Sequence, residues 1–135
     1  MFSMRRRLGS RVLGLAGLCA LTLAALPAWA KWEKLAENGQ VILRINGQFI
    51  VKDGKYRRTI EMQDLKARDP DGVLSRSYNN EYDCERYYNR ISNVKSYAGP
   101  GLTGRLLFDV KEEGPWQKIP PGSLFAVGYI AVCVD

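Results

Sequence analysis

The sequence contains no histidine. The side chain that most often serves as a general base at neutral pH is therefore missing, and with it the Ser–His and Cys–His nucleophile pairs. Cysteine is scarce: three residues in 135. Cys84 and Cys133 alone, without histidine, cannot furnish the four ligands of a structural zinc site. There is no phosphate-cradling loop, because the stretch "GPGLTG" (residues 99–104) lacks the lysine and following helix that such a loop needs. "DPDG" (residues 69–72) has the start of a calcium loop but not its later oxygen ligands. Internal repeats and low-complexity tracts are absent too. What remains for catalysis is a carboxylate pair: Asp69 with Asp71, Glu81 with Asp83, or Glu112 with Glu113. All lie beside turns or strand ends, where solvated acids are commonplace. The expectation is a chain that is not an enzyme and that carries no cofactor and no metal.

The first 30 residues differ from the rest. Arg5, Arg6, Arg7 and Arg11 form a basic start. An uncharged apolar run, Val12 to Leu26, follows, and Pro27 and Ala28-Trp29-Ala30 close it. Basic start, short apolar core and small residues before a junction are the order of a secretory signal peptide, with cleavage expected between Ala30 and Lys31. The 15-residue run is shorter than the roughly 20 residues needed to span a bilayer. No membrane span is expected after cleavage. The leader holds four arginines and no acid, so the remainder carries 16 basic and 14 acidic residues, net +2. That balance gives little support to nucleic acid or an anionic membrane as partner.

Export changes the cysteine arithmetic. Cys19 leaves with the leader, and an even pair, Cys84 and Cys133, stays. In an oxidising compartment the pair reads most simply as one disulfide. In a reducing compartment it would be two free thiols.

Val41, Leu43 and Ile45 alternate with Ile42, Arg44 and Asn46, which reads as a strand bounded by Asn38-Gly39 and Asn46-Gly47. Asp53-Gly54 signals a hairpin. Beyond it a half-exposed antiparallel strand places Tyr56, Arg58, Ile60 and Met62 on one face and Lys55, Arg57, Thr59 and Glu61 on the other. After the loop at residues 66–72, Val73 to Tyr82 and Glu85 to Tyr97 read as extended. Their imperfect alternation predicts a β-bulge near Cys84. Arg105 to Val110 is a further strand. In the tail, Ser123 can cap a helix whose stripe holds Phe125, Ala126, Tyr129, Ile130 and Cys133. Val127, Ile130, Val132 and Val134 keep a strand open as the alternative.

Ser75, then "EYDC" (residues 81–84), Arg86 and Arg90, "YAGPG" (residues 97–101), Trp116, Ile119, Pro120, Gly122, Ser123 and a final Cys133 occur in this order. With Trp32 and the strand pair around Asp53-Gly54, this pattern resembles the surface-adhesin E domain family of Gram-negative exported proteins, over most of residues 31–135. Residues 46–48 (Asn-Gly-Gln) depart from it, lacking an acidic D-x-x-S segment before the hairpin. The resemblance implies an α+β fold: a mainly antiparallel, curved sheet of about six strands with a short C-terminal helix packed on it and tied by the cysteine pair. It also implies an extracellular or outer-membrane role, since the family takes its name from adhesins that bind host matrix proteins. No adhesive motif carries over residue by residue.

Tyr78, Tyr82, Tyr87, Tyr88 and Tyr97 lie close in sequence to Arg76, Arg86 and Arg90. Sheet packing alone collects tyrosines. The sharper reading is a protein-binding surface made of Tyr82, Arg86, Tyr87, Tyr88 and Arg90, since Tyr and Arg combine contact area with a polar tip. Trp32 and Trp116 read as anchors of the core or its rim. Three functional readings follow. The first is a noncatalytic exported module in the periplasm, at the outer-membrane surface or secreted, which binds a protein at or outside the cell surface and is open to forming a homodimer through a strand edge. The second is a periplasmic inhibitor or accessory subunit of an envelope enzyme such as a lysozyme. The third, ranked last, is a minimal carboxylate enzyme.

Overall fold

In the computed structural model of the chain, Gly14, Gly17 and residues 31–134 are described. The basic start, the apolar run and the Ala30 side of the expected cleavage junction lie outside the described residues. From Trp32 the chain forms seven strands and a helix: β1 (Trp32–Glu37), β2 (Val41–Asp53), β3 (Tyr56–Leu65), β4 (Ser75–Asp83), β5 (Tyr88–Tyr97), β6 (Leu106–Val110), β7 (Gln117–Lys118) and α1 (Leu124–Cys133). The sheet is antiparallel throughout and runs β1 to β6 in chain order, with the two-residue β7 added beside β5. Among the described residues no helix is long and apolar enough to cross a membrane.

The turns follow their local chemistry. Asn38 Oδ1 accepts from the N–H groups of Gln40 and Val41 and closes β1 onto β2. Gly54, at φ 59°, makes the β2–β3 hairpin that Asp53-Gly54 signalled. β2 shifts register between Ile45 and Ile50, the stretch that departs from the family pattern. The expected bulge near Cys84 is not found. Residues 84–87 form a turn instead, with Asp83 Oδ1 accepting from the N–H groups of Glu85 and Arg86 and Tyr87 at φ 62°. The irregularity between β4 and β5 lies at Ser77–Asn79, beside Asn93 at φ 53°. An Asp side chain that bonds the following backbone N–H groups closes a turn, and Asp83 does this here.

Alternation along the strands divides the sheet into two faces. One carries Leu43, Ile45, Thr59, Glu61, Asn80 and Tyr82, and α1 lies on it. Its core is Ile45, Tyr82, Ile119, Ala126 and Val132, with Leu35, Tyr87, Phe125, Tyr129 and Cys133 packed around it. Each fully covered aliphatic side chain here contributes about 1.5–3 kcal/mol.

The tail resolves as a helix despite its β-branched residues. Pro120-Pro121-Gly122 ends the preceding segment, and the Ser123 side chain accepts from the Ala126 N–H at the helix start. Cys133 bonds Cys84, with Cα atoms 5.4 Å apart, so the helix end is fastened to the end of β4. α1 contains no charged residue. Ala126, Gly128 and Val132 face the sheet, while Val127, Ile130 and Val134 are exposed.

Candidate functional site

The residues proposed as a binding surface separate into two groups. Tyr82 is fully buried, so it leaves the surface and belongs to the core. Its hydroxyl donates to Glu61 Oε1 at 2.6 Å. Tyr87 turns its ring onto Tyr129 with centroids 4.5 Å apart, and Tyr82 meets the same ring edge-on at 6.4 Å. The Tyr129 hydroxyl in turn donates to the Cys84 carbonyl. These tyrosines seat the helix.

Glu61 is the centre of that seat. It is fully buried, and among the described residues no cation pairs with it. Thr59 Oγ1 donates to Oε1 at 2.9 Å and Asn80 Nδ2 to Oε2 at 3.1 Å, and Asn89 Nδ2 donates onward to Asn80 Oδ1 at 3.1 Å. Burial raises the Glu61 carboxyl above its ordinary range, and the donors from Tyr82, Asn80, Thr59 and Tyr78 offset that in part. α1 passes over this group at Gly128. A Cβ there would meet Tyr82 Oη at 2.3 Å, so only glycine lets the helix approach this closely.

Arg86, Tyr88 and Arg90 belong to the turn and the face opposite α1. The Arg86 guanidinium stands over the Tyr88 ring at 5.4 Å while its Nε donates to Asp83 Oδ2 at 2.9 Å. Burial acts to raise the Asp83 carboxyl, but the hydrogen bonds from Arg86 and from the backbone of Arg86 and Glu85, with Lys55 nearby, outweigh it and leave the group lowered. Arg90 lies over the Trp116 ring at 4.5 Å and bridges Glu81 at 2.9 Å and Glu113 at 2.7 Å. Trp116 stacks on Tyr56 at 5.7 Å, and Arg58 continues the row to Glu81 at 2.8 Å. The result is a strip of stacked aromatic rings and arginines on one surface. The sequence marks Trp116 as a core or rim anchor and does not mark Tyr56 for this strip. The signal for Tyr56 was the strand parity it shares with Arg58; none marks Trp116, which lies in a loop.

The same face holds a groove of about 740 Å³ at its other end. Trp32, Ile42, Met62 and Leu102 form apolar walls over an Arg44–Asp64 ion pair at 3.3 Å. One wall is the "YAGPG" segment, folded as a 3-10 turn at Pro100–Leu102. Ser75 holds it in place: Oγ donates to the Gly99 carbonyl at 2.6 Å and accepts from the Leu102 N–H at 2.9 Å. The Gly101 N–H donates to Asp64 Oδ1 at 2.7 Å.

The carboxylate pairs are engaged elsewhere. Asp69 Oδ1 accepts from the N–H groups of Asp71 and Val73, and its Oδ2 meets Arg76 at 3.2 Å, so the "DPDG" acid supports its own loop. Among the described residues no three acidic or thiol side chains converge on a common point.

A single antiparallel sheet is thus roofed on one face by a disulfide-tied helix and carries a stacked strip and a groove on the other. The chain belongs to the surface-adhesin protein E family, whose model matches residues 29–134. Membership implies an exported, cell-surface protein. Among solved structures the fold is similar to Haemophilus influenzae protein E in crystal form II, at TM-score 0.58 and 12% identity over 77% of this chain and 87% of that one. Protein E from non-typeable Haemophilus influenzae is similar at TM-score 0.52 and 14% identity, over 75% of this chain and 74% of that one. No curated protein matches the chain by sequence.

Proposed function

We propose that this chain is a noncatalytic exported module that binds a partner protein at or outside the cell surface, and that the face opposite α1 makes the contact. The observation that supports this reading is the strip Tyr56–Trp116–Arg90–Glu81–Arg58, with Arg86 and Tyr88 beside it. Arginines and aromatic rings held in fixed stacks are the side chains that dominate protein interfaces, because little rotamer freedom is left to lose on binding. Asp83 and Glu81, the carboxylates nearest the strip, are both occupied by arginines rather than aimed at a common reacting atom. The leader directs export, with cleavage between Ala30 and Lys31.

A homodimer through β6 is part of the same reading. β6 is an edge strand, and Leu106, Phe108 and Val110 each expose nearly half of their surface. An open edge carrying three apolar side chains favours pairing with a second copy.

Crosslinking of intact cells followed by capture of the chain tests the proposal. A partner protein recovered with wild type and lost with Arg86→Ala or Tyr88→Ala supports it. No saturable binding to any captured or matrix protein overturns it. A lysozyme protection assay on the same preparation separates it from the inhibitor reading.

A further inference from the structure

The strip leaves the groove at the other end of the face unassigned, and the groove has the features of a built site. Its wall is strained. Leu102 sits at φ 63°, a left-handed conformation that residues other than glycine rarely adopt. Ser75 and Asp64 are the groups that hold the segment there, through three hydrogen bonds to Gly99, Gly101 and Leu102. The consequence is a preformed apolar wall facing Trp32, Ile42 and Met62, with a volume in the ordinary range for binding sites.

The polar groups of the groove are unbalanced. Asp64, its one acid, has both oxygens occupied, Oδ1 by the Gly101 N–H and Oδ2 by Arg44 Nε. Arg44 meets Asp64 through Nε, and among the described residues no other partner of its guanidinium is found. Lys31 lies over the Trp32 ring at 5.7 Å, with its charge at the groove rim. Among the described residues the charged side chains of the site therefore offer donors and positive charge, and its one carboxylate is already engaged. The site is complementary to an apolar body that carries a carboxylate. Trp32 also begins β1, an edge strand that among the described residues hydrogen-bonds only to β2.

We propose that the groove binds an extended peptide segment of the partner protein, one that pairs along the β1 edge, lowers an apolar side chain between Trp32 and Leu102, and sets an Asp or Glu two residues along, on the same face, against Arg44 and Lys31. This rests on the protein-binding reading above and gives it a recognition chemistry. Strand addition at an open edge supplies affinity through the backbone, and the groove supplies the choice of side chain.

The test uses ¹⁵N NMR of the protein purified from its exporting host, titrated with a blocked peptide of sequence Thr-Phe-Thr-Asp-Val-Thr, whose Phe and Asp share one face when extended. Saturable shifts are expected at the Trp32 indole and at the Gly101 and Leu102 amides. Replacing the peptide's Asp by Asn, or Arg44 by Gln, is expected to weaken binding roughly tenfold or more. Leu102→Gly relieves the left-handed strain, so it keeps or improves stability, and it is expected to lose the apolar contact and weaken the peptide by a similar factor. A merely structural role for Leu102 would not produce that combination. Absence of saturable shifts, equal binding of the Asn peptide, or binding of dodecanoate but not of the peptide would overturn the proposal. If crosslinking on cells still captures a partner that Arg44→Gln and Leu102→Gly leave unchanged, the groove assignment fails while the module's protein-binding role stands. If no partner is captured, the broader reading fails.

Discussion

The Tyr82 hydroxyl donates to Glu61 at 2.6 Å directly beneath Gly128 of the C-terminal helix. The pair makes a polar seat under a helix with no charge of its own. Strand, disulfide and glycine together fix how closely the helix approaches the sheet.

Gly128→Ala tests that approach. Alanine is the better helix former by about 1 kcal/mol. Its Cβ would nevertheless meet Tyr82 Oη at 2.3 Å and Cζ at 3.3 Å, so the helix has to lift or the ring has to move. The expected outcome is a net loss of about 1–3 kcal/mol in urea unfolding, in the range for overpacked sites. Tyr82→Phe removes the blocking oxygen. The double variant Gly128→Ala/Tyr82→Phe is therefore expected to lose less than the sum of the two single losses.

Glu61 sets a dependence on pH. Its folded carboxyl lies above its ordinary value of 4.5 because of burial. The folded state thus holds the proton more tightly than the unfolded chain. The associated stability is complete below pH 4.5 and is lost as pH rises through the folded value. Asp83 acts with the opposite sign in another window. Its carboxyl is lowered from 3.8, so its contribution is present above that pH and is lost as pH falls further. Unfolding midpoints measured from pH 4 upward are expected to decline toward neutral pH in wild type and to stay flat in Glu61→Gln.

The Cys84–Cys133 bond closes a loop with a sequence separation of 49. Restricting an unfolded loop of that size is worth about 4 kcal/mol in the chain-entropy model. Cys133→Ser is expected to lower stability by that order. The loss should be concentrated in α1, seen as faster amide exchange at Tyr129 to Val132 than in β3.

Association through the β6 edge is expected to show as a concentration-dependent mass in light scattering. Phe108→Lys puts a charge on the exposed apolar stripe and should shift the chain to monomer without changing its melting temperature by more than the scatter of an exposed site.

Much of this fold is legible in the sequence. Asp53-Gly54 marks the hairpin because φ > 0 is needed there. Cys84 and Cys133 pair as expected, and Ser123 caps the helix because its oxygen reaches the Ala126 N–H. What period-two alternation does not reveal is which face of a strand the helix covers. β3 presents Thr59 and Glu61 on one side and Ile60 and Met62 on the other, and α1 covers the side with the charge. The helix is apolar all round, so its own sequence gives no preferred contact face. Only the position of Gly128 over Tyr82 decides it. For the same reason Tyr82 reads as a surface residue until the sheet is assembled. Arg86, Tyr88 and Arg90 are exposed or half-buried, whereas Trp116 joins them through a loop whose path no local pattern gives.

The central claim is that the sheet's two faces have divided roles, with α1 fastened to one and the partner received by the other. A photoreactive phenylalanine analogue placed at Tyr88 or, separately, at Ile130 on the exposed side of α1 tests this most directly in irradiated intact cells. The account predicts a covalent adduct with a partner protein from position 88 and none from position 130. Adducts from position 130 alone, or from neither position, would contradict it.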